Sequence, residues 1–164
     1  MNKAMHAMSD HKKPLLWLAP SSAAMELLAR TFDMGAPAQA TPFVVAAGAR
    51  ASEALRLALE AKNVSAIALI APPALSGLDP DVLEQLQQIE TPVLALFGTG
   101  DDASPPDFAH DWRRGLPKCF PMFVYAVGAD MANERSAAIA SIIVEFLKRG
   151  EGFLVQQADG RLHD

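Results

Sequence analysis

A single cysteine, Cys119, leaves this chain of 164 residues without a disulfide framework and without the thiolate cluster of a structural zinc site. Histidine is scarce as well. His6, His11, His110 and His163 lie scattered, and no pair has the spacing that holds a metal. Basic charge is in deficit, with 14 Lys and Arg against 19 Asp and Glu, a net charge of −5 and a pI of about 5.3. The basic stripe of a nucleic-acid binder is therefore missing. No apolar run is long enough for a membrane span or a signal-peptide core, so the expectation is a soluble, cytoplasmic chain. What the chain has in quantity is apolar side chain, 51% against 20% charged, with a mean hydropathy of +0.14. That excludes disorder over most of its length.

Five short apolar runs recur along the chain: Pro14–Ala19, Pro42–Ala47, Ser65–Ala71, Pro92–Phe97 and Met122–Val127. Each has strand length, and none alternates cleanly. Continuous apolar character marks parallel strands covered on both faces. Helical patterns separate them, over Ser22–Phe32, Ala51–Lys62, Asp79–Ile89, Pro106–Leu116 and Asn133–Lys148. Strands alternating with helices predict βαβ units, hence a three-layer α/β sandwich around a five-stranded, mostly parallel sheet. No repeat or linker divides the chain. The expectation is one domain over residues 1–155, with a polar N-terminal tail at 1–13, followed by a loose tail at 156–164.

Three stretches together resemble the C-terminal part of the α/β-hydrolase family. The first is Pro92-Val-Leu-Ala-Leu-Phe-Gly98-Thr-Gly-Asp101, followed by Pro105. There the family writes strand, Gly-x-x-Asp-x-x-x-Pro, with the aspartate as triad acid. The second is Phe123-Val-Tyr-Ala-Val-Gly128-Ala129, where the family writes strand and Gly-His before its last helix. The third is Phe43-Val-Val-Ala-Ala-Gly48-Ala-Arg50, which is similar to the strand and nucleophile elbow. The resemblance implies a reduced sheet. Of the family's common order 1-2-4-3-5-6-7-8, strands 3-5-6-7-8 are expected, with 1, 2 and 4 lacking counterparts.

The departures bear on function. Gly48 stands where the resemblance puts the nucleophile, and Ala129 where it puts the histidine; only Asp101 keeps the residue type of a triad member. An acid alone neither attacks a carbonyl nor passes a proton to a leaving group. No catalytic residue is assigned. Glycine at the elbow also releases a backbone strain worth about 1–3 kcal/mol.

Other candidates carry ordinary structural readings beside functional ones. Ser21 or Ser22 is a nucleophile or a helix cap. Ser52 is expected to be solvent-exposed in a first helical turn. Asp101 and Asp102 form an acid pair, or cap the following helix and satisfy loop amides. His110 is a surface residue or a base, and Cys119 a half-buried thiol or a nucleophile. Gly48, Ala49, Arg50 and Ser21 could hold a carboxylate or phosphate at a helix start, unless Arg50 pairs with Glu53 or Asp101.

The leading expectation is a catalytically dead hydrolase-like protein acting by binding, as a subunit or scaffold of a complex. A minimal serine esterase or thioesterase with a non-standard site is the alternative, and a small acyl or phosphate binder is a third. No cofactor, metal, membrane or nucleic acid is implied. With strand 4 missing, Leu15, Leu16, Trp17 and Leu18 lie on an unpaired apolar edge, the expected interface of a homodimer or of a foreign protein.

Overall fold

The computed structural model describes residues 12–35, 37, 42–61, 63–150 and 152. The tails expected at 1–13 and 156–164 lie outside the described residues, apart from Lys12 and Lys13. All five apolar runs form strands: β1 (Lys13–Leu18), β3 (Phe43–Ala47), β4 (Ala66–Ile70), β5 (Val93–Gly98) and β6 (Cys119–Val124). Every pairing is parallel.

The sheet has six strands, not the expected five. A two-residue strand, β2 (Phe32–Asp33), pairs with Lys13 and Pro14, and the order is β2-β1-β3-β4-β5-β6. The helix expected over Ser22–Phe32 stops short to allow this. Helix α1 spans only Ala23–Leu28, after which Arg30 and Thr31 donate three residues back, to Leu27 and Leu28. That tighter turn delivers Phe32 to the sheet, where its ring meets Phe43 edge-on, with centroids 5.6 Å apart. The edge of β1 is therefore covered at its first two residues.

Along the strands, successive side chains feed two separate cores, which explains why the runs are apolar without interruption. Val45, Ala68, Ile70, Leu94 and Leu96 face one side; Val44, Ala46, Ile67, Leu69 and Phe97 face the other. Helices α1, α5 (Met131–Glu134) and α6 (Ser136–Arg149) cover the first face. Helices α2 (Ala51–Ala61), α3 (Pro80–Leu83) and α4 (Ala109–Gly115) cover the second. The result is the three-layer sandwich that the alternation predicts.

Helix α6 buries Ile139, Ile143, Phe146 and Leu147, an i, i+4, i+7, i+8 stripe, and packs against α1. Its last turn carries Lys148 and Arg149, placing positive charge at the negative end of the helix dipole. The single helix expected over Asn133–Lys148 is in fact two, because Arg135 leaves the helical region at φ −130°, ψ 46°. The one expected over Asp79–Ile89 divides into α3 and a 3₁₀ turn at Leu86–Gln88. Its stripe of Val82, Leu86 and Ile89 is nevertheless buried.

Of the residues expected at the interface, Leu15 is fully buried in the first core and Leu18 lies in the second, while Leu16 and Trp17 are half-buried. Strand β6 starts at Cys119, three residues before the expected run, a start that Pro121 obscures in the sequence. Proline is tolerated there because β6 ends the sheet and lends only one side to pairing.

Cys119 is buried rather than half-exposed, and burial pushes its thiol from an ordinary 9.0 up to about 12. Folding thus favours the protonated form. The stabilising contribution is complete below pH 9 and is lost as pH rises toward 12, at up to about 1.4 kcal/mol per pH unit. Urea melts of the wild type and Cys119→Ala at pH 7 to 11 should show the wild type losing the advantage it holds at neutral pH. A constant difference across the range would contradict a buried, protonated thiol.

Candidate functional site

In a parallel sheet the loops at the carboxyl ends of the strands gather on one side, and here they enclose one cleft. Pro20 comes from the loop after β1, Gly48 follows β3, Ile70 and Pro73 lie at the end of β4, Asp101 follows β5 and Ala129 follows β6. The volume is about 450 Å³, within the range of small-molecule sites.

The turn after β3 is built on backbone conformation. Gly48 takes φ +55°, and the chain passes at once into a 3₁₀ turn, Gly48–Arg50, that leads into α2. A Cβ there would meet no atom within 4 Å beyond its chain neighbours. The space is open; the conformation is what glycine supplies.

Asp101 is held by its own loop. Its Oδ1 accepts from the amides of Ala103, at 2.9 Å, and Ser104, at 3.1 Å. The group satisfied is a loop, not the start of a helix. Oδ2 is buried and has no hydrogen-bond partner among the described residues. Ser104 turns its hydroxyl away from this carboxyl and donates to the carbonyl of Pro72. Trp112, fully buried on α4, donates its indole N–H to the carbonyl of Pro73 at 2.7 Å. These two bonds fix the wall that follows β4, where Ala71 adopts φ 51°.

Ala129 is positioned by backbone contact between two loops. Gly100 donates to the carbonyl of Val127 at 2.9 Å, and Ala126 donates to the hydroxyl of Thr99 at 2.8 Å. A Cβ on Gly98 would run into the carbonyl oxygen of Val127. The loops after β5 and β6 therefore pass in direct contact, which brings Asp101 and Ala129 to one cleft.

The structure thus gathers Gly48, Asp101 and Ala129. Ala49, Arg50 and Ser21 do not line that cleft. Arg50 is exposed and donates two hydrogen bonds to Glu53, at 3.0 and 3.1 Å, which hold the Glu53 carboxyl below its usual range. Ser22 caps α1, its hydroxyl accepting from the amide of Met25. Ser52, expected in solvent, is buried, because its hydroxyl accepts from the amide of Asp79 and ties α2 to the start of α3. His110 is exposed on α4 and Asp102 is exposed beside the cleft wall. His6, His11 and His163 lie outside the described residues. Among the described residues no three metal-ligating side chains come together, and no helix is long and apolar enough to cross a membrane.

Sequence reasoning missed Ile70, Ala71, Pro73 and Ser104 as cleft residues, and Asn133, which joins α5 to the amide of Ala23 at 2.9 Å. The first three carried a usable signal: Ile70 and Ala71 close a predicted parallel strand and Pro73 stands just beyond its carboxyl end.

No protein-family model and no curated protein matches the sequence. Solved structures do. Rv0554 from Mycobacterium tuberculosis aligns over 84% of this chain and 90% of its own, at 12% identity and a TM-score of 0.65. The α/β hydrolase enzyme MGS-MChE2, from a sediment metagenome of the Mar Chica lagoon in Morocco, aligns over 84% and 91%, at 12% identity and 0.65. The Pyrococcus furiosus esterase Pf2001 aligns over 85% and 82%, at 14% identity and 0.64. The fold is that of the α/β hydrolases.

Two substitutions separate the roles of the glycines in this hydrolase fold. Gly98→Ala should destabilise by about 1–3 kcal/mol, because backbone must move to admit the methyl group. Gly48→Ala, which has room but the wrong φ, should cost about 1–2 kcal/mol. Urea denaturation measures both. Crystallography should find β5 and β6 displaced only in the first, and an unmoved Val127 in Gly98→Ala would refute the close-contact account.

Proposed function

We propose that the chain is a reduced, catalytically degenerate α/β-hydrolase-like protein that acts by binding, as a subunit or scaffold of a protein complex. One observation carries the reading: Gly48 and Ala129 share a cleft with Asp101, so the acid stands beside neither a nucleophile nor a base. Among the described residues Ser104 is the one hydroxyl-bearing residue in that lining, and it is engaged with Pro72. Serine chemistry needs a base within hydrogen-bond reach of the hydroxyl, and no histidine among the described residues lines the cleft.

The esterase named in Pyrococcus furiosus keeps the alternative hydrolase reading in view. On this chain it falls to Ser21 or Ser22, yet Ser22 is committed to its cap and Ser21 stands outside the cleft. The acyl or phosphate reading depends on Arg50, whose guanidinium is bound to Glu53. Purified protein is expected to give no hydrolysis of p-nitrophenyl acetate above buffer. Saturable turnover that disappears in Ser21→Ala or Ser22→Ala would overturn the non-catalytic reading.

Two surface features support association. β2 covers β1 only at Lys13 and Pro14, leaving the strand edge beside Leu16 and Trp17 without a paired strand among the described residues. At the opposite edge Phe123 and Tyr125 are 57% and 80% exposed. Sedimentation velocity should show self-association. Dissociation by Trp17→Lys would locate the interface at β1, and dissociation by Tyr125→Lys would locate it at β6. A wild-type monomer at every concentration would overturn self-association.

A further inference from the structure

We infer that the cleft at the carboxyl ends of the strands holds a compact, uncharged, apolar molecule, a hydrocarbon-like ligand of one or two rings. The inference rests on the non-catalytic reading, since such a ligand is held and not turned over.

The polar groups of the cleft supply the first reason. Among the described residues Asp101 and Ser104 are the only polar side chains in the lining, and both are spent inside the protein. Oδ1 of Asp101 accepts from the amides of Ala103 and Ser104, and Oδ2 is buried out of reach of any ligand. The Ser104 hydroxyl donates to the carbonyl of Pro72. The backbone of the wall after β4 is used up as well. The amide of Ala71 donates to the carbonyl of Leu96 at 2.8 Å, and the carbonyl of Pro73 accepts from Trp112. A polar ligand group brought against these residues would give up water and gain no partner.

Charge narrows the class further. No Lys, Arg or His among the described residues lines the cleft, so an anion finds no counter-charge. A cation finds one carboxyl, with one oxygen engaged by two amides and the other buried. Pro20, Ala47, Ile70, Ala71 and Pro73 present what remains, an apolar surface.

Backbone strain is the second, independent reason. Ala71 lines the cleft at φ 51°, a left-handed conformation that is costly for a residue with a side chain. Its own amide bond and the bonds to Pro72 and Pro73 hold it there. Strain of this kind gathers at ligand sites, where a wall fixed in advance saves the cost of ordering it on binding. The same lining keeps its room: a Cβ on Gly48 would meet nothing within 4 Å beyond its chain neighbours, and about 450 Å³ stays open.

Two probe series test this, titrated into the full chain at pH 7 and followed by amide chemical shifts. Benzene, toluene and ethylbenzene should bind with affinity rising about three- to fourfold per added carbon, the value of one buried methylene. The amides of Gly48, Ala71, Ala103 and Ala129 should move. Benzyl alcohol, nearly the shape of ethylbenzene, should bind about ten- to a hundredfold more weakly, the cost of an unanswered hydroxyl, and benzylammonium should not bind. Ala129→Leu and Ala103→Leu enlarge exposed lining residues, and each should weaken ethylbenzene at least about tenfold. Either one suffices if the other does not fold. No binding of ethylbenzene would overturn the inference, as would benzyl alcohol or benzylammonium binding as tightly. Binding that neither substitution changes would overturn it too, as would shifts confined to Leu16, Leu18 and Leu57, which line a separate groove between β1 and α2. Ethylbenzene has no bond that a hydrolase cleaves, so its binding reports on the cleft alone. Failure here with no ester turnover removes the ligand site and leaves the non-catalytic reading standing. Ester turnover removes that reading whichever probe binds.

Discussion

The passage of Gly98 beneath the carbonyl of Val127 is the contact on which the functional end of this molecule depends. No side chain fits between them, and Gly100 hydrogen-bonds to the same carbonyl. Two loops that would otherwise drift apart beyond β5 and β6 are joined through main-chain atoms. Asp101 follows one side of this junction and Ala129 the other. Backbone contact of this kind does not depend on which side chains face the cleft. Residues can therefore shrink to glycine and alanine at its rim while the cleft keeps its walls.

The rest of the wall is held with equal economy. Three polar residues are buried in the described structure: Ser52, Asp101 and Ser104. The two hydroxyls each connect separate segments, Ser52 to the start of α3 and Ser104 to the loop after β4. Trp112 adds a third link to that loop from α4. Surface charge contributes less. Arg56 joins Asp79 and Asp81 across exposed surface, where solvent weakens ion pairs. The interior is thus a packed apolar sandwich whose few polar atoms fasten loops to each other.

Much of this architecture was legible before any coordinates. Strands buried on both faces must be apolar throughout, so five of them stood out as runs, and their spacing by helical stripes implied the parallel order. β2 was not legible because two residues have no periodicity, and Phe32 also fitted the apolar stripe of the preceding helix. The start of β6 was obscured by Pro121, which reads as a breaker unless the strand is known to lie on an edge. The gathering of Gly48, Asp101 and Ala129 followed from the order of three motifs. Ile70 at the end of β4, with Pro73 and Ser104 on loops, lines the same cleft through its place in the fold, and side-chain type alone does not reveal that. Nor did composition reveal that Ser52 would be buried, since its partner, the amide of Asp79, lies on a distant loop.

The packing of α6 on α1 also has a consequence during synthesis. The second face of the sheet is covered by α2, α3 and α4, all of which leave the ribosome before the last strand. The first face has only α1 until the end of the chain emerges, because Ile139, Ile143 and Phe146 complete that core. Leu15 and Leu28 accordingly stay in partial contact with water until α6 docks, whereas the second core lacks only Cys119 of β6 by then. A growing chain that exposes one finished apolar face is a substrate for chaperones and for aggregation, and the final helix ends that exposure.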